Sequence, residues 1–67
     1  MDEWIGKAIL KMRANKITQE QVAKKVGVRR EHINLILSGR YVPKNAESRI
    51  MTAIDEIIEN RKNSVAD

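Results

Sequence analysis

Sixty-seven residues without a cysteine make one small domain with no disulfide framework and no thiolate metal site, and a lone histidine leaves structural zinc without ligands. The net charge of +4 is unevenly spread: residues 16–44 carry seven bases against two acids, whereas residues 45–67 carry three bases against five acids. No apolar run approaches the ~20 residues of a membrane span and no basic-then-apolar leader opens the chain, so a soluble cytoplasmic domain without cofactor, metal or membrane partner is expected.

Residues 2–14 read as a first helix, with Asp2 placed to cap it and Glu3 suited to the positive end of its dipole. Ile5, Ala8, Ile9 and Met12 recur at helical spacing as its inner stripe, which leaves Lys7, Lys11 and Arg13 to water. Trp4, the only tryptophan, reads as a lid over the core edge. A short turn through Asn15 and Lys16 follows, and Ile17 precedes Thr18 as a hydrophobic staple facing Val22. Thr18 and Gln21, three positions apart, form a capping box at the start of a second helix whose apolar face is Val22, Ala23 and Val26.

Gly27 stands where a left-handed backbone closes that helix at no steric cost. A third helix over about 29–38 buries Ile33, Ile36 and Leu37 and stops at Ser38-Gly39. Two helices joined so tightly must cross steeply, which asks for a small residue at their contact, and Ala23 fits. Residues 18–38 are therefore a helix-turn-helix pattern. Residues 40–44 form a loop in which Pro43 drives Val42 toward extended backbone. Asn45 is placed to cap a final helix over 46–61, whose stripe is Ile50, Ala53, Ile54, Ile57 and Ile58 with Met51 alongside. One domain over 1–63 is expected, with a frayed polar tail at 64–67.

A major groove admits one helix, whose first turns reach the base edges, and that geometry nominates Arg29, Arg30 and Glu31, then Asn34 and Leu35. The charge of 16–44 fits a polyanionic partner. A catalytic constellation is absent: Asp55, Glu56 and Glu59 share an exposed helical face without a partner base, and no motif sets a nucleophile beside His32. His32 reads instead as a half-buried helix residue near a phosphate or the preceding helix. No enzyme is expected.

The residues Thr18, Gln19, Val22, Ala23, Val26, Gly27, Val28, Ile33, Ile36, Gly39 and Pro43 fall at the offsets of a known pattern, and the stretch resembles the Xre/Cro/lambda-repressor-like DNA-binding domains. The resemblance implies an all-α helical bundle of four helices, or five where the family's usual pair of short helices closes the bundle. Here the last segment is one unbroken pattern. It further implies sequence-specific binding of double-stranded DNA by a small Cro-like transcriptional regulator, a repressor of the size found in phages or mobile elements.

Carried over by position, the family's base-reading sites fall on Arg30, Glu31 and Leu35, with Arg29 and Asn34 beside them. Leu35 departs from the family's polar or small residue: it meets a thymine methyl or rests against the last helix. Gln19 takes the place of the family's glutamine that contacts phosphate and braces the first reading residue. Ser38, Arg40 and Lys44 match its backbone-contacting region, which Tyr41 either joins or leaves for the core. Arg13 stands near the family's arginine at the end of helix 1, reached through a turn one residue shorter than usual.

The isoleucines Ile50, Ile54, Ile57 and Ile58 either form a dimer surface or close the bundle. A homodimer, at least on DNA, would read a near-palindromic operator. The alternative function is a protein-interaction module on the same fold, an antirepressor or assembly factor working through the 46–61 helix.

Overall fold

The structure, a computed structural model, describes the backbone of residues 2–65 and the side chains of residues 2–62. Four helices follow in order, α1 (Glu3–Ala14), α2 (Gln19–Val26), α3 (Arg30–Leu37) and α4 (Ala46–Val65), and no strand occurs among the described residues. The all-α expectation holds with four helices, the last unbroken. α4 runs four residues past the expected end at residue 61. Of the tail expected to fray, residues 64 and 65 lie on α4, and residues 66 and 67 lie outside the described residues.

Each boundary has a local cause. Asp2 occupies the N-cap of α1, but its side chain makes no cap bond; only its carbonyl accepts, from Ile5 N–H at 3.1 Å. At the other end Lys16 turns left-handed at φ 53°, so that Lys16 N–H reaches the Arg13 carbonyl at 3.2 Å and Ile17 N–H reaches that of Met12 at 2.8 Å. That pair of bonds is the Schellman closure. The capping box of α2 is complete: Gln21 N–H donates to Thr18 Oγ1 at 3.1 Å, and Thr18 N–H donates to Gln21 Oε1 at 2.8 Å. Gly27 ends α2 at φ 90°, and the N–H groups of Gly27 and Val28 converge on the Ala23 carbonyl at 2.8 and 3.0 Å.

Arg29 caps α3 by backbone alone, and Gly39 at φ 79° closes it through Gly39 N–H to Ile36 O at 3.0 Å and Arg40 N–H to Leu35 O at 3.1 Å. α4 starts on the carbonyls of Pro43 and Asn45, which accept from Ala46 and Arg49; the Asn45 side chain makes no cap bond among the described residues.

The core is Ile5, Ala8 and Met12 from α1, Ile17, Val22 and Ala23, then Ile33, Ile36 and Leu37, closed by Ala46, Ile50, Ala53 and Ile54. Ile50 and Ile54 are 1% and 0% exposed, which makes each a core residue contributing about 1.5–3 kcal/mol of burial. Ile57 and Ile58 are half-buried and pack on that core, as do Trp4, Ile9 and Val26. Ile50 and Ile54 thus close the bundle, with Ile57 and Ile58 at its edge.

α4 is also tied down by polar contacts that sequence periodicity does not carry. Arg49 Nη2 donates to the Val26 carbonyl at the end of α2, at 3.2 Å. Arg61 donates to the carbonyl of Asn15 and, at 3.3 Å, to that of Lys16, in the turn after α1. Both guanidinium groups sit where a helix leaves unpaired carbonyls and the negative end of its dipole. Lys11, expected to face water freely, reaches across to Asp55 at 2.5 Å, and Lys25 approaches Glu56 at 3.9 Å.

Candidate nucleic-acid interface

Three buried residues of α3 define its inner side, and the helical period puts everything else opposite. Arg30, Glu31, Asn34, Leu35 and Ser38 share one exposed face, spaced by one, three or four residues. Arg29 is exposed at the N-cap beside them. Leu35 is 40% exposed and takes no part in the core.

The chain folds back over the last turn of α3. The Leu35 carbonyl accepts from Ser38 Oγ at 2.9 Å and from the N–H groups of Arg40 at 3.1 Å and Tyr41 at 3.4 Å. This holds Ser38, Arg40 and Tyr41 around the C-terminal end of the exposed face. Tyr41 is 53% exposed and meets His32 edge-on, with ring centroids 5.8 Å apart and planes at 63°. Tyr41 therefore lies at the surface, and half-buried His32 is its ring partner. Lys44 is exposed in the loop before α4.

Gln19, at the start of α2, joins this surface through an open cleft of about 270 Å³. The cleft floor is Ile9, Met12, Ile17 and Leu37, and its rim is Arg13, Gln19, Asn34 and Ser38. Arg13 was not among the expected contact residues. Its signal was its place near the end of helix 1, two residues before the turn that brings it over the cleft.

Charge is distributed along the same division. Among the described residues Arg29, Arg30, Arg40 and Lys44 pair with no carboxylate, whereas the α4 arginines Arg49 and Arg61 are engaged by carbonyls and α4's Asp55 and Glu56 by lysines. Of the cations without a carboxylate partner among the described residues, these four lie on or beside α3, while Lys7, Arg13, Lys16, Lys24 and Lys62 are spread over the other helices and the α1–α2 turn. No group of three metal-ligating side chains is assembled among the described residues, and none of the described helices is long and apolar enough to cross a membrane.

A capped α2, a glycine turn and an α3 presenting a polar outer face define a helix-turn-helix domain. A family model described as Helix-turn-helix, of the Xre/lambda-repressor-like type, matches residues 7–51, and the chain belongs to this family of DNA-binding transcription regulators. The family is regulatory rather than enzymatic. No curated protein and no solved structure matches the chain. The family match ends early in α4, so the turns that carry Asp55, Glu56 and Arg61 lie beyond it.

Proposed function

We propose that residues 1–63 form a single sequence-specific DNA reader, a Cro-like repressor that binds a near-palindromic operator as a homodimer with α3 in the major groove. The observation that carries this reading is the exposed face of α3 flanked by four cations without carboxylate partners. Arg30 offers the guanidinium fork that pairs with guanine, Glu31 accepts from cytosine, and Asn34 bridges to adenine or to phosphate. Leu35 meets a thymine methyl. Arg29, at the helix entrance, is the fifth base-facing residue. Gln19, Ser38, Arg40, Tyr41 and Lys44 hold the sugar-phosphate backbone and set the register without reading sequence.

Selection of bound duplexes from a random pool would yield the operator, whose half-sites should lie about one turn, roughly 34 Å, apart. On that operator Arg30→Ala should change which base is preferred at one position, by ~1–3 kcal/mol, while Arg40→Ala weakens all sequences alike and lowers the salt slope by roughly one unit. A parallel loss on every sequence for Arg30→Ala, or binding that hardly responds to salt, would refute the arrangement. The interaction-module alternative is weaker, because Ile50 and Ile54, which it would need at the surface, lie in the core.

A further inference from the structure

Three large apolar side chains are exposed among the described residues: Leu10, Leu35 and Tyr41. The last two belong to the DNA-facing side. Leu10, at 67% the most exposed of them, has no such use. It lies opposite the Ile5–Ala8–Met12 stripe of α1, at the centre of a free arc that also holds Glu3, Gly6, Lys7, Arg13 and Ala14, all exposed. α4 approaches α1 from one flank through Lys11, and the α2–α3 cleft borders the other through Ile9 and Arg13. No described residue covers the outer face between them.

We propose that this outer face of α1 is the surface on which a second copy of the chain docks, with the two α1 helices antiparallel about residue 8. The proposal rests on the reading of a dimer bound to DNA and gives that dimer its contact. The argument is self-complementarity. Positions 3, 6, 10 and 13 have the alternating three-and-four spacing of a helix-pairing seam. Reversed about residue 8, position 3 meets 13 and position 6 meets 10.

Leu10 of each copy then lies over Gly6 of the other, and Glu3 of each faces Arg13 of the other. Both relations repeat across the axis, as a two-fold contact requires. Gly6 provides the hollow: a Cβ built there meets nothing within 4 Å, so the place is open to a side chain from outside. The charge pairs join opposite signs. Only Lys7, beside the axis in both copies, opposes them.

Of the α4 isoleucines, the bundle itself covers Ile50 and Ile54, and only Ile57 and Ile58 keep part of their surface. One face of a twelve-residue helix buries well under the ~1,200 Å² of a stable pair, so the free protein is mostly monomeric. Neighbouring copies on one duplex meet at high effective concentration, and there the contact makes binding cooperative.

The cysteine-free chain permits a direct test. Gly6→Cys and Leu10→Cys variants are mixed and oxidised at low salt, with and without a 40-base-pair duplex of mixed sequence (about four helical turns). A Glu59→Cys variant, on the exposed side of α4, is the control. The expected result is a mixed disulfide between the two α1 variants, formed at least about tenfold faster than the control pair when DNA is present. Leu10→Gln should keep the melting temperature and the single-copy affinity but lose cooperativity.

Cross-linking at the control rate while a gel shift shows several copies on the duplex would overturn the α1 contact and leave the DNA reading intact. If instead no shift appears, the DNA reading fails, and oxidation of the same mixture at millimolar protein without DNA decides the contact alone. Control-rate disulfide formation there would also overturn it.

Discussion

The end of α1 and the end of α3 are built on one hydrogen-bond pattern. In each, the residue after the cap turns left-handed, and its own N–H and that of the following residue fold back on the last turn of the helix. α3 does this with Gly39, for which φ 79° carries no penalty. α1 does it with Lys16 at φ 53°, where a side chain is disfavoured, and Arg61 from α4 holds two carbonyls of the turn. One end is thus solved by residue choice in place, and the other by a tether from 45 residues along the chain. The difference shows that the same turn can be written locally or imposed by tertiary structure.

That contrast can be broken at each end. Gly39→Ala should cost most, about 1–2 kcal/mol, because alanine must adopt the left-handed backbone. Thermal unfolding would show it as a fall of roughly 4–8 °C per kcal/mol for a domain of this size. Arg61→Ala should cost about 1 kcal/mol through two lost hydrogen bonds. Arg61→Lys should recover only part of this, since an ammonium lacks the fork that spans two carbonyls. An unchanged melting curve for Arg61→Ala would mean that the turn holds itself.

Lys16→Gly tests the other half of the comparison, with an expected gain of about 0.5–1 kcal/mol. In the Arg61→Ala background the gain should be larger, because glycine makes the tether unnecessary. Equal gains in the two backgrounds would show that the arginine and the left-handed residue are independent. The smallest effect is expected for Lys11→Ala. Its ion pair with Asp55 lies between side chains 41% and 57% exposed, so about 0–0.5 kcal/mol is lost. That loss should vanish in 1 M salt, where the screening length is about 3 Å.

The same contrast explains what could be read from the sequence. Thr18 with Gln21, Gly27 and Gly39 are local devices whose residue types name their geometry, and all three were legible. So were the core stripes, because burial of Ile5, Val22, Ile33 and Ile54 follows helical period. Lys16 was not legible as a left-handed residue, since nothing in the residue type announces it. Nothing in the sequence marks Arg49 and Arg61 as tethers, because their partners are backbone carbonyls distant in sequence. Asp2 and Asn45 look like side-chain caps and make no such bond.

At the candidate interface, the exposed face of α3 was readable once its buried positions were assigned. The cleft joining Arg13 and Gln19 to Asn34 and Ser38 was not, because it depends on how the short Asn15-Lys16 turn swings α1 against α2. The pairing of Tyr41 with His32 likewise needed the chain reversal at Gly39.

α2 and α3 are eight residues each, about 12 Å long, below the ~12–15 residues at which an isolated helix begins to persist in water. They exist because α4 and α1 cover them. Amide hydrogens at Val22, Ile33 and Ile36 should therefore exchange with solvent only when the whole molecule opens, with no faster route through local fraying. The recognition surface has no separate melting event of its own. A protease cut in the middle of α4 would remove it completely, so the persistence of the exposed α3 face is set by a helix that forms no part of it.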